Sequence, residues 1–212
     1  LVAAGPALNP YWDFALVQLT ADGTLDSSFS DDGIKFTESA GSPDYGYGAA
    51  LQPDGKLVVA GLYRPVLPFW GLARFNPDGS LDTSFDGDGL VSGYLEGGNP
   101  RDVAIQPDGK IVAVGDTYGS DFIAVRFNAD GSLDPTFAGD GTVVTDIAGG
   151  NDYGEAVLLQ ADGKIIVAGT GSSSFALVRY LPDGSLDPGF DGDGKVSVAM
   201  GGSSNAYDAA LQ

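Results

Sequence analysis

Asn76–Gly89 reads NPDGSLDTSFDGDG. The phrase returns as TADGTLDSSFSDDG at Thr20–Gly33, as NADGSLDPTFAGDG at Asn128–Gly141 and as LPDGSLDPGFDGDG at Leu181–Gly194. Four copies of a 14-residue phrase in 212 residues make internal repetition the dominant signal, and a repeat of this kind implies a stacked array or a closed ring. The Asp-Gly steps are turn formers. Asp bonds nearby backbone amides through its short side chain, and Gly accepts the left-handed conformation.

Working outward, the apolar runs that follow each GK dipeptide align Leu1, Leu57, Ile111 and Ile165, at spacings of 56, 54 and 54 residues. The units 1–56, 57–110, 111–164 and 165–212 then account for the chain as a single repeat domain, 1–212. Each unit reads as four short strands. The first ends in Gln (GAALQ at Gly48–Gln52, DVAIQ at Asp102–Gln106, AVLLQ at Ala156–Gln160, DAALQ at Asp208–Gln212) and is followed by a PDGK or ADGK turn. The second is LVVAG at Leu57–Gly61 and its copies. The third, after a variable loop, is DFALVQL at Asp13–Leu19 and its copies. The 14-residue phrase leads into the fourth. Short apolar runs with turn signals every 8–12 residues or so predict an all-β chain. A period of ~50 residues with four antiparallel strands predicts a β-propeller blade. The expected fold is a β-propeller of four ~54-residue repeats. The chain opens with strand two of a unit and ends with strand one, which predicts closure by N- and C-terminal strands sharing a blade. Pairing of two chains through the open blade edge, a homodimer, is the alternative.

The formal charge is −19, from 29 acidic and 10 basic side chains. Phosphate binding needs a basic patch, so nucleic acid is not an expected partner. No apolar run reaches the ~20 residues of a membrane helix, so no membrane insertion is expected. The chain has no cysteine and no histidine, which excludes disulfides and thiolate metal sites and removes the commonest general base. Only Glu38, Glu96 and Glu155 are glutamates; the other acids are aspartates, which suits a turn-rich acidic surface.

The phrase G-S-L-D-x-x-F-x-G-D-G, with a QPDGK-I-V-x-x-G run some 25 residues away, resembles the delta-60 repeat family of bacterial proteins. The residues that carry the resemblance are Gly79–Gly89 with Gln106–Gly115, Gly131–Gly141 with Gln160–Gly169, and Gly184–Gly194. The first unit departs from it at Ser30-Asp31-Asp32-Gly33. The resemblance implies a propeller-like fold in large secreted or surface-attached bacterial proteins, and it brings no catalytic residue with it.

Several side chains are candidates for function. Asp86, Asp88, Asp191 and Asp193 pair carboxylates on flexible DGDG backbone, and Ca2+ takes oxygen ligands. Asp88 and Asp193 recur in every unit, with Asp32 and Asp140, which favours turn formation instead, and the first position does not recur, reading Ser30, Asp86, Ala138 and Asp191. Tyr11, Trp12, Tyr63, Phe69 and Tyr118 lie in or beside the variable loops before strand three and do not follow the repeat. Loops carry function on rigid scaffolds, so these aromatics are the expected contacts for a protein or glycan. Arg74, Arg126 and Arg179 recur and are expected to pair with recurring aspartates between blades. The expectation is a non-catalytic binding or scaffold module, secreted or on a bacterial surface. A structural spacer or self-assembling unit is the alternative, and a carboxylate-based hydrolase is less well supported.

Overall fold

A computed structural model of the chain describes residues 1–8, 12–37, 45–63, 69–96, 98–118, 121–147, 149–202 and 204–212, with the side chains of 6, 8, 12–14, 37, 63, 69 and 94–96 also outside the description. Among the described residues fifteen strands form four antiparallel sheets. The first holds β1 (Val2–Leu8), β2 (Trp12–Gln18) and β3 (Ile34–Thr37). The second holds β4 (Tyr45–Leu51), β5 (Leu57–Tyr63), β6 (Phe69–Phe75) and β7 (Leu90–Glu96). The third holds β8 (Asn99–Ile105), β9 (Ile111–Asp116), β10 (Phe122–Phe127) and β11 (Thr142–Thr145). The fourth holds β12 (Asp152–Leu159), β13 (Ile165–Gly171), β14 (Ser174–Tyr180) and β15 (Lys195–Val198). In every sheet the strands lie in chain order, so each unit is a simple meander. Among the described residues no helix is long and apolar enough to cross a membrane.

Contacts divide the chain into Leu1–Pro100 and Arg101–Gln212, two sheets to each unit. In the second unit Val112, Val114, Phe122 and Ala124 of the third sheet pack on Ile165, Val167, Ala176 and Val178 of the fourth. In the first unit Leu16 and Phe29 pack on Leu57, Val59, Ala73 and Phe75. The central strands are mostly apolar because both their faces are covered; β9 and β10 have no exposed residue, Asp116 and Arg126 included.

The 14-residue phrase closes a compact double turn in each repeat. In the second, Asn76 N–H bonds the Ser80 carbonyl at 2.8 Å, and Gly79 takes φ +83° to bring its own N–H to Asn76. Asp78 Oδ1 accepts the Ser80 amide and hydroxyl. The chain then doubles back, pairing Leu81 with Phe75, and drops Phe85 into the core. Ser30, Asp86, Ala138 and Asp191, equivalent in the repeat, all hold φ between +50° and +53°. Asp86, Ala138 and Asp191 are exposed and Ser30 is half-buried, so little packing constrains the identity of this position.

Among the described residues no sheet is closed by strands from the two ends of the chain. The first sheet has three strands, and Asp208–Gln212 carries no strand. Asp208 Oδ1 instead accepts the amide of its neighbour Ala209. Similarity of DAALQ to the other first strands does not form a strand without a paired edge, because a strand's hydrogen bonds all go to its neighbour.

Candidate functional site

Each complete repeat builds one ion cluster from three separated places in the sequence. Arg74 Nε and Lys56 Nζ both bond Asp82 Oδ2, at 2.6 and 2.9 Å. Arg126 and Lys110 do the same to Asp134 at 2.6 and 2.7 Å, and Arg179 and Lys164 to Asp187 at 2.8 and 3.3 Å. In the first repeat Gln18 Nε2 replaces arginine and donates to Asp26. The lysine comes from the PDGK turn, the arginine from strand three and the aspartate from the SLD step. Each guanidinium also lies over the recurring phenylalanine, Arg126 at 4.7 Å from the Phe137 ring. Burial alone would raise the Asp134 carboxyl. The Lys110 ammonium, the hydroxyl and amide of Thr136 and the Arg126 guanidinium together hold it well below the usual carboxylate range. The expected pairing of arginine with aspartate between blades is therefore corrected: the pair lies within one repeat. What crosses to the next repeat is Arg126 Nη1, which donates to the Pro182 carbonyl at 2.6 Å.

The DGDG carboxylates are placed as follows. Asp88 Oδ1 accepts the Leu90 amide and Asp193 Oδ1 the Lys195 amide, both at 2.9 Å. Asp86 and Asp191 occupy the left-handed position and are exposed. None of the four belongs to a group of three acids close enough to share an ion, among the described residues.

Such a group does exist elsewhere, and sequence reading missed it. Asp121, Asp146 and Asp152 bring carboxylate oxygens within 4.8 Å of one another. Asp152 opens β12 and is fully buried, its oxygens accepting the Ile147 amide at 2.7 Å and the Ser172 amide at 3.0 Å. Asp146 follows β11 and accepts the Gly149 amide. Asp121 precedes β10; burial, then the charges of Asp146 and Asp152, push its carboxyl up. These aspartates are 25 and 6 residues apart and have no equivalents across all the repeats, so the periodicity that exposed the other motifs is silent about them.

Of the loop aromatics, Tyr11 lies outside the described residues. Trp12 opens β2, Tyr63 ends β5 and Phe69 opens β6 opposite it; their side chains lie outside the description. Tyr118 sits in the β9–β10 connection, 87% exposed and three residues from Asp121. Gln52, Gln106 and Gln160, which end the first strands, each bury a side-chain oxygen without a hydrogen-bond partner.

Antiparallel meanders repeated in tandem, with an ion cluster in each of the three four-stranded sheets, define a repeat protein of the β-propeller class. The chain belongs to the DUF5122 beta-propeller family, a domain of unknown function, whose model matches residues 1–29, 52–85, 106–137 and 160–190, more than half of the chain. No curated protein sequence matches it. Among solved structures, one provisionally assigned as a gluconolactonase is similar at 17% identity and TM-score 0.47, over 83% of this chain and 57% of that one. A calcium-binding protein, regucalcin, from Agrobacterium tumefaciens strain C58 is similar at 18% identity and TM-score 0.46, over 87% and 58%. A protein of unknown function from Bacteroides caccae is similar at 12% identity and TM-score 0.36, over 92% and 80%. The chain thus spans less than two thirds of the length of the first two.

Proposed function

We propose that the chain is a non-catalytic binding or scaffold module in which the repeats supply rigidity and the non-repeating loop residues supply recognition. One observation carries this reading. The recurring charged residues are used up inside the structure, as ion clusters and turn caps, whereas Tyr118 stands exposed on a short loop between two fully buried strands. An exposed aromatic held on rigid strands offers a stacking surface at little entropic cost, which suits a sugar ring or a protein side chain. The delta-60 resemblance, and with it a secreted or surface-attached bacterial parent, agrees with this reading. Glycan-array and surface-protein binding test it: binding that Tyr118→Ala removes is expected. Hydrolysis of a bound glycan, lost in Asp121→Asn, would overturn it in favour of a carboxylate hydrolase.

A second reading concerns Ca2+. Three carboxylates within 4.8 Å, with no lysine or arginine paired to them among the described ion pairs, offer the oxygen-only set a hard cation takes. Calorimetric titration with calcium chloride tests it. Uptake abolished by Asp121→Asn is expected, and absence of heat in the wild type would remove the reading.

A further inference from the structure

We infer that the contact between the first repeat (β1–β3) and the second (β4–β7) is a release joint. Repeat one opens as one body while repeat two stays folded, and the opening uncovers Leu57, Val59, Ala73 and Phe75, on which Leu16 and Phe29 pack. The inference rests on the identities of Gln18, Asp31 and Phe75 and goes beyond the recognition role proposed above.

Repeats three and four show what a firm joint contains. Arg126 Nη1 donates to the Pro182 carbonyl at 2.6 Å, and the Thr145 and Tyr180 hydroxyls share a buried bond of 2.7 Å. Ala138 N–H bonds the Asp183 carbonyl at 2.7 Å. Of these three bonds, only the last has a counterpart between repeats one and two among the described residues: Ser30 N–H to the Asp78 carbonyl at 2.9 Å.

The two missing bonds are missing for chemical reasons. Phe75 stands where repeat four has Tyr180, and it has no hydroxyl to offer. Gln18 stands where repeat three has Arg126. A guanidinium has three nitrogens and can hold its aspartate with one while reaching the next repeat with another; a glutamine amide has a single nitrogen. Gln18 commits that nitrogen to Asp26 at 2.9 Å, and no described hydrogen bond joins it to the carbonyl of Pro77, the counterpart of Pro182.

The turn that carries the remaining bond is also strained. Asp31 holds φ +68° where the other repeats have Gly87, Gly139 and Gly192 at +90°, +94° and +94°. A left-handed conformation is unfavourable for a residue with a Cβ and open to glycine. Ser30, beside it, is left-handed as well, at +51°. Repeat one therefore relaxes its own turn when it opens.

Local bonding does not distinguish the repeats. The amides of Gln18, Asp26, Phe29 and Gly33 bond carbonyls of their own repeat at 2.7–3.0 Å, and those of Arg126, Asp134, Phe137 and Gly141 make the same four bonds at 2.7–3.0 Å. A difference in exchange between these two sets of amides reports the joint, because each set is released by the opening of its repeat.

Native-state hydrogen exchange of the whole chain, followed through low urea, tests the inference. The repeat-one set is expected to exchange at least about tenfold faster than the repeat-three set. Its four amides should share one urea dependence, smaller than that of global unfolding. Gln18→Arg supplies the bond to the Pro77 carbonyl and is expected to slow the repeat-one set several-fold while leaving the repeat-three set unchanged. Asp31→Gly, at an exposed position, should act in the same direction by removing the strain, and it serves as the second variant should Gln18→Arg fail to fold. Equal exchange of the two sets overturns the inference. So do repeat-one amides that exchange independently of one another, and a gap that neither substitution narrows, as simple fraying of the chain end would give.

Discussion

Arg126 and Asp134 are joined at 2.6 Å in a place almost closed to water, with Lys110 sharing the same carboxylate oxygen. The arginine bonds the next repeat through a second nitrogen and the Thr136 hydroxyl through a third. One aspartate thus orients the side chain that links two repeats.

Removing that aspartate should cost more than the pair itself contributes, because it leaves a buried guanidinium without its partner. Asp134→Asn is expected to destabilise the protein by about 3–5 kcal/mol, read from urea unfolding. Asp187→Asn, whose Arg179 keeps more contact with water, should cost clearly less. Equal losses at the two positions would show that burial of the pair is not what matters.

Acid should unfold the protein through the same groups. Asp82 and Asp134 titrate below their ordinary value of 3.8 because their lysine, hydroxyl, amide and arginine partners outweigh the effect of burial. On acidification the unfolded chain takes up protons first, so the stability these pairs provide is complete above that value and is lost as pH falls toward the lower folded values. Asp102 and Glu155, both raised by burial, act in the opposite sense: they cost stability when charged and return it on protonation. The melting temperature is expected to fall steeply below about pH 4. Asp134→Asn should flatten that limb, and an identical limb in variant and wild type would refute the assignment.

The turn glycines separate backbone strain from contact between repeats. Gly23 and Gly184 hold nearly the same φ, +85° and +86°, yet only Gly184 has the preceding repeat against it. Each alanine substitution carries the left-handed cost of roughly 1–2 kcal/mol. Gly184→Ala should be the more damaging, since its methyl would lie 2.8 Å from the Ala138 nitrogen. Equal melting temperatures for the two variants would contradict the packing described.

Tyr180 and Thr145 share a buried hydrogen bond of 2.7 Å between repeats four and three. Burial, partly offset by Thr145, pushes the Tyr180 phenol up to about 12. Tyr180→Phe strands the threonine hydroxyl and should cost about 1–3 kcal/mol. Adding Thr145→Val should recover part of that loss, because no polar group is then left unpaired. A double variant as unstable as the sum of the singles would rule out the bond as the source.

The sequence by itself determined the repeat, the strand order within it and the turn chemistry. These are local properties: Asp and Gly set the turns within a few residues, and apolar runs between them have no alternative to pleated, two-sided burial. Phe29, Phe85, Phe137 and Phe190 recur at one place in the phrase, and the first three are buried. Only the tertiary structure decided the partnerships. It brought the PDGK lysine, the strand-three arginine and the SLD aspartate together at one carboxylate, showing why two motifs some 25 residues apart in the sequence travel together. It gathered Asp121, Asp146 and Asp152, which no spacing rule connects. It left Asp208–Gln212 without a strand, although its sequence matches the other first strands. A strand needs an edge to bond, and an edge is supplied by the fold around a segment, not by the segment's own residues.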